Sequence, residues 1–285
     1  MTTPLQILNR IAPPPNIPNE AQGDWEQIEK TLGLTLPNDY KTLISEYGTG
    51  RFSDFLYTFN PFSQNKWLNL ISSSRKVLES ERTLRNDFPE EYSFPLFPEP
   101  NGLFPWGATD NGNYLYWYTK GEPHDWAIFV RQSRGPLHEL YEMSVTEFLG
   151  KWLSRKLDCQ VFPENDEYFP NAVFEQYRKL EHISVYFDYV QLPYQQRLEL
   201  IWNYLGRGKI KGFYQHESRS QCHFIVDSLN SESTYWDNVQ YGSIFRLAYP
   251  QEYQNEVKKK IFDLSKDLGL PIKQILDYSG NPIWN

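Results

Sequence analysis

The chain has 285 residues and a formal net charge of −8, with 40% hydrophobic and 22% charged residues. That length suits two domains with a core each, and the acidity argues against a nucleic-acid binder, because neutralising phosphates takes a basic stripe. Aromatic residues reach 16%, a surplus that serves cores, interfaces and sugar-stacking surfaces alike.

Residues 1–22 read as a Pro-rich leader, extended through 12–18, where Pro13, Pro14, Pro15 and Pro18 exclude helix. A first helix is predicted from Asp24 as N-cap to Gly33 as stop. A second opens at Pro37, places Tyr40, Leu43, Ile44 and Tyr47 at i, i+3, i+4 and i+7, and ends at Gly48. A third is expected over 65–86 with Trp67, Ile71, Leu78 and Leu84 inward. After the Pro-rich stretch 94–105 the period becomes strand-like. Runs at 114–118, 126–130 and 138–143 are separated by Asn-Gly, Gly-Glu-Pro and Arg-Gly-Pro turns. Ser144 and Glu147 then form a capping box for a closing helix with Val145, Phe148, Leu149 and Trp152 on one face.

The segment 158–171 has two prolines and no period, so it is taken as a linker between a first domain, 23–157, and a second, 172–285. The second domain predicts a strand at 182–190, a helix at 193–205 and strands at 211–216, 221–228 and 241–248. A helix at 250–268 and a strand at 272–278 complete it. That is a βαββαβ-like order with one added strand, and the whole chain is mixed α+β. Two cysteines, Cys159 and Cys222, are too few for a disulfide framework and fit a reducing compartment. With no basic-then-apolar opening and no run near the ~20 apolar residues of a spanning helix, the expectation is a cytoplasmic protein with no membrane partner.

Several residues carry chemistry. The turn 106–113 offers Asp110, Asn111 and Asn113 as a polar ridge beside Trp106 and Trp117, although the Asn-Gly pair alone accounts for a tight hairpin. Alternation in 114–118 puts Tyr114, Tyr116 and Tyr118 on one face, which is expected to point outward. Gly206 to Gly212 tempts a phosphate-loop reading, but the order is helix, loop, strand, whereas a phosphate cradle needs strand, loop, helix. His216, Glu217, His223 and Asp227 are metal-ligand types at close spacing, yet they match no helix motif, and solvent-facing strand residues account for them better. No nucleophile elbow, Walker loop, dinucleotide fingerprint or CxxC pair occurs. No enzyme activity, cofactor or metal is therefore expected.

The ordered set Trp25 to Gly33, Leu36-Pro-Asn-Asp-Tyr40, Tyr47-Gly-Thr-Gly50, Asn60-Pro-Phe62, Phe97-Pro-Glu99, Phe104-Pro-Trp-Gly107, Asp110-Asn-Gly-Asn113, Trp117, Gly121, Trp126 and Met143 to Leu149 resembles the SUKH superfamily over about 24–156. That superfamily includes cell-wall-synthesis regulators and bacterial immunity proteins. Where the family has Gly-Asp in the central turn, this chain has Gly112-Asn113, which removes a carboxylate that a cation would need. The resemblance implies a binding protein without common catalytic residues, in bacteria an immunity protein that neutralises a toxin domain. A nuclease toxin would be basic, and the acidic chain suits it. Asp110 and Asp125 are the expected rim, with Trp106, Trp117, Trp126 and Tyr116 as contacts. The alternatives are a cell-wall regulatory scaffold and a carbohydrate-binding module that uses stacked Trp and Tyr.

Overall fold

The computed structural model describes residues 2–162, 172–216, 219–238 and 242–284, and the chain divides into two compact units, Met1–Tyr177 and Arg178–Asn285.

The first unit begins with a helix, α1 (Pro4–Ile11), where an extended leader was expected. The leader's prolines start only at Pro13. Ahead of them, Thr3 accepts the Gln6 N–H while the Gln6 side chain accepts the Thr3 N–H, closing a capping box. Leu8 and Ala12 are fully buried, so this segment belongs to the core. Helix α2 (Trp25–Leu32) starts where Asp24 accepts the Gln27 N–H at 3.0 Å and ends at Gly33 with φ 64°. Helix α3 (Asn38–Tyr47) buries Tyr40, Leu43, Ile44 and Tyr47, as the spacing predicts.

Helix α4 (Leu70–Asp87) starts later than expected, because Asn69 caps it by accepting the Ile71 and Ser72 N–H groups. Trp67 therefore precedes the helix and is 60% exposed, with the Lys76 ammonium 3.6 Å from its ring centre. Helix α5 (Val145–Leu153) buries Val145, Phe148, Leu149 and Trp152.

The strands are β1 (Gly50–Phe52), β2 (Leu56–Thr58), β3 (Leu103–Thr109), β4 (Tyr114–Tyr118), β5 (Ala127–Arg131), β6 (His138–Tyr141) and β7 (Phe174–Gln176). They form one antiparallel sheet in the order β6-β5-β4-β3-β2-β1-β7. Both faces of it are covered. Leu115, Trp117 and Ile128 share the face that meets α3 and α5, with Tyr40 edge-on to Trp117 at 4.9 Å and Phe148 edge-on to Trp106. Tyr116 and Phe129 share the other face, which is closed by α4 and by Phe94, 4.7 Å from Phe129.

The boundary drawn at 158–171 moves. Cys159, Val161 and Phe162 are buried in the first core, and β7, beyond that segment, pairs with β1 as Gly50↔Gln176, Arg51↔Glu175 and Phe52↔Phe174. Phe174 packs against Tyr47 and Phe52 at 5.0 and 4.9 Å, so the first unit runs to Tyr177.

The second unit runs β8 (Leu180–Phe187), α6 (Tyr194–Tyr204), β9 (Ile210–His216), β10 (Arg219–Val226), β11 (Ser231–Asn238), β12 (Gly242–Pro250), α7 (Gln254–Leu268) and β13 (Ile272–Asp277). Its antiparallel sheet has the order β13-β8-β12-β11-β10-β9. Strand β11 escaped the sequence reading because Ser231-Glu-Ser-Thr shows no apolar alternation; Ser231 and Ser233 are nevertheless buried. The order is thus βαββββαβ, one strand more than expected. Ile183, Val185, Phe224, Tyr235, Phe245 and Leu247 point to one face and pack with Ile201 of α6 and Val257, Ile261 and Leu264 of α7. The opposite face carries neither helix.

Candidate functional site

The most elaborate surface feature of the first unit is the β3–β4 turn. Gly112 takes φ 87° there, a conformation that suits glycine. Asn113 lies beneath the turn and uses both ends of its amide: Nδ2 donates to the Val161 carbonyl at 3.1 Å, and Oδ1 accepts the Ser133 N–H at 3.0 Å. Its own N–H donates to Thr109 Oγ1 at 3.0 Å, and the Thr109 hydroxyl donates to Asn111 Oδ1. The Asp110 N–H donates to Phe55 O of the β1–β2 turn at 2.8 Å. The turns after β1, β3 and β5 are thereby fastened together, with Asp110 and Asn111 exposed on top. A carboxylate at position 113 would supply no donor for Val161, so the departure from the family's Gly-Asp has a structural use.

Burial reassigns most of the expected contact residues. Trp106, Tyr116, Trp117 and Trp126 are 0, 0, 1 and 6% exposed, and Asn113 is 5% exposed. They are interior residues rather than partner contacts, because helices cover both faces of the sheet. The tyrosine face of β4 points under α4, not to solvent. Trp126 also donates to Gly121 O at 3.2 Å, which ties down the β4–β5 connection. Asp125 is exposed in that connection, with the His124 ring nitrogen 3.5 Å away. Asp110 and Asp125 therefore sit at opposite ends of β4, a strand about 13 Å long.

Sequence reasoning missed the polar group under α4. The Tyr116 hydroxyl donates to Glu81 Oε1 at 2.7 Å, and the Arg131 guanidinium pairs with the same carboxylate. Both charged side chains are 6% exposed, and Arg131 lies 4.5 Å from the Tyr92 ring. Burial pushes the Glu81 carboxyl up, against the opposing pull of Arg131 and Tyr116. Glu81, Tyr92, Phe94, Leu96, Leu103 and Arg131 line a shallow recess there. The signal was present: Val77, Leu78 and Glu81 fall on one helical stripe, so a carboxylate sits in an apolar row. The Cys159 thiol is pushed up to about 12, chiefly by burial, which leaves it a poor nucleophile at neutral pH.

In the second unit, Glu217 lies outside the described residues, and His216 ends β9 in register with Arg219. His223 is exposed on β10, with Nδ1 3.1 Å from Thr234 Oγ1. Asp227 follows β10 at an exposed turn. Among the described residues no group of three His, Cys, Asp or Glu side chains is placed to hold a metal ion, and no helix is long and apolar enough to cross a membrane. Gly206, at φ 95°, follows α6, and a Cβ at Gly208 would lie 1.6 Å from the Ile225 carbonyl. These glycines serve the helix-to-strand passage.

The first unit is, by its layers, a mixed α+β domain with an antiparallel sheet held between helices. Residues 22–149 match the family model SUKH_6, described as SMI1-KNR4 cell-wall, and this part of the chain is a SUKH-superfamily domain. That family is linked to immunity proteins and cell-wall regulators and is generally non-catalytic. No curated protein matches the chain.

The residues that carry the resemblance are largely internal fastenings. Tyr40 donates to the Phe59 carbonyl. The fully buried Asn60 donates to Thr49 Oγ1 at 2.8 Å and to Glu20 O at 3.0 Å. Gly48, at φ 68°, lets Asn19 O approach within 2.0 Å of where a Cβ would stand.

Proposed function

We propose that the chain is a non-catalytic, cytoplasmic immunity protein whose SUKH unit binds and neutralises a basic toxin domain. The observation that carries this reading is where the charge lies. Residues 1–177 hold 15 Lys+Arg and 24 Asp+Glu, a net of −9, whereas residues 178–285 hold 13 and 12, a net of +1. The SUKH unit therefore carries the whole acidic excess, and a field of that sign steers a basic partner toward it. The family's link to immunity proteins supports the same reading.

The exposed carboxylates at the two ends of β4 are the candidate contacts. Rim charges act mainly on association and are screened over ~10 Å at 0.1 M salt, so single variants at the two ends of β4 read each carboxylate by itself. The test takes the toxin domain encoded beside this chain's gene and measures association by stopped flow with Asp110→Lys and Asp125→Lys made singly. One variant should slow association several-fold at low salt and the other should leave it nearly unchanged, which identifies the end that faces the partner. An acidic partner, or association indifferent to salt and to both variants, overturns the proposal.

A further inference from the structure

The face of the second sheet that carries neither helix sets aromatic rings beside exposed arginines, around a buried Ile244. Register places Tyr186, Ile244, Trp236, Gln221 and Tyr214 in one row across β8, β12, β11, β10 and β9. The three rings thus fall on alternate strands, about 10 Å apart. Guanidinium groups flank the row on either side. Arg246 lies 5.1 Å from the Trp236 ring centre and Arg219 lies 5.5 Å from that of Tyr214. Both arginines are exposed, and Tyr214 is 50% exposed. Among the described residues neither arginine has a carboxylate partner. The carboxylate on this face, Glu232, lies 4.0 Å from Lys211. A strip of aromatic rings with exposed guanidinium groups alongside is the residue content of interface cores, where Trp, Tyr and Arg are enriched. A guanidinium matches a carboxylate two bonds at a time.

We propose that this face docks a protein partner through an acidic segment, with partner carboxylates received by Arg219 and Arg246 and apolar groups laid on Tyr214 and Trp236. Charge complementarity selects that occupant. Among the described residues the face holds three cations, Lys211, Arg219 and Arg246, and one carboxylate, Glu232, too few for a nucleic-acid backbone, whose binding at physiological salt rests on several phosphate contacts at once. They are enough for a local cluster of carboxylates. The two units then take partners of opposite sign: a basic one on the SUKH unit, an acidic one here. This inference does not depend on the toxin reading.

The test uses the full chain and a fluorescein-labelled ten-residue peptide of alternating Glu and Tyr. Comparators are the Lys-for-Glu peptide and a ten-nucleotide oligothymidylate, all followed by anisotropy at 50 mM and 300 mM salt. The acidic peptide should bind most tightly at 50 mM salt and weaken at 300 mM. Arg219→Glu with Arg246→Glu should weaken it about fivefold, within the range that two exposed ion pairs contribute. Arg219→Gln with Arg246→Gln should fall between, with circular dichroism unchanged. Asp110→Lys, on the other unit, should leave the affinity where it was. Tighter binding of the oligothymidylate, no binding of the acidic peptide, or equal affinity in both arginine double variants overturns the proposal.

Discussion

The two units cover their sheets differently, and their strands differ in sequence accordingly. In the first, β4 reads Tyr-Leu-Tyr-Trp-Tyr and β5 reads Ala-Ile-Phe-Val-Arg, near-continuous runs with Leu115, Tyr116, Trp117 and all of β5 buried. Such runs belong to strands covered on both sides, and α3 with α5 on one face and α4 on the other supply the cover. In the second unit, β8 and β10 alternate between buried and accessible positions over most of their length, with His182 and His223 exposed among buried neighbours, and β12 exposes Arg246 between the buried Phe245 and Leu247. One face packs on α6 and α7; the other carries neither helix and exposes Arg219, Tyr214 and Arg246, although Ile244 in its central row is buried. Charge divides the same way, −9 against +1. Aromatic content says little about function in the doubly covered sheet and much more in the open one, since only the second can offer its rings to a partner.

The comparison breaks first at Trp106. If both faces of the first sheet are covered, Trp106→Ala should cost about 3–5 kcal/mol, the range for truncating a buried aromatic, measured by urea denaturation under far-UV circular dichroism. A cost below ~1 kcal/mol would return Trp106 to the surface. Arg131→Met, which leaves Glu81 buried without its cation, should destabilise by a similar ~3–5 kcal/mol. Glu81→Leu combined with Arg131→Met should recover part of that loss, because no charge is left uncompensated although the buried Tyr116 hydroxyl loses its acceptor. A double variant as unstable as the single one would mean that the ion pair contributes net stability.

Asn113→Asp sharpens the account of the turn. It removes the donor to Val161 O while keeping the acceptor for Ser133, so about 1–3 kcal/mol should be lost, with Asn113→Ser no better. An unchanged midpoint would show that the amide donor is dispensable. The smallest effect concerns pH in the second unit. Partial desolvation against neighbouring groups lowers the pKa of His182 and of His223 below the usual 6.5, with Lys211 adding to the shift at His223. The folded form thus prefers both rings neutral, while the unfolded chain protonates at the ordinary value. Their contribution is fully present above pH ~6.5 and is lost as pH falls through that value toward the lowered one. The midpoint should therefore drop between pH 7.5 and 5.5, and His182→Gln with His223→Gln should reduce that drop. A rising midpoint with falling pH would reverse the assigned direction.

Much of the first unit was legible because its signals are local. Asp24, Gly33, Pro37, Gly48 and Ser144 mark helix ends through backbone chemistry that needs no tertiary information, and the structure places helix termini at or beside each of them. What failed was long-range. Alternation assigns Tyr116 and Trp117 to opposite faces but cannot say that α4 covers one of them. No local rule brings Phe174 back to Phe52, because the pairing of β7 with β1 spans more than a hundred residues. Ser231 and Ser233 looked like loop because small polar residues hide a buried face. The expected contact set erred for the same reason: aromatic residues beside turns were read as surface, and only Asp110, Asn111 and Asp125 of that set are exposed.

The β3–β4 turn has a further consequence, for how partners can change. Asn113 and Thr109 hold the loop from below, while Asp110 and Asn111 above them carry side chains that the core does not require. Substitutions at such exposed sites usually stay within about ±0.5 kcal/mol. The residues that make the domain recognisable, among them Tyr40, Gly48, Asn60 and Trp117, lie inside. The tips can therefore change while the mounting stays intact, so two such domains can share their interior residues yet present different surfaces.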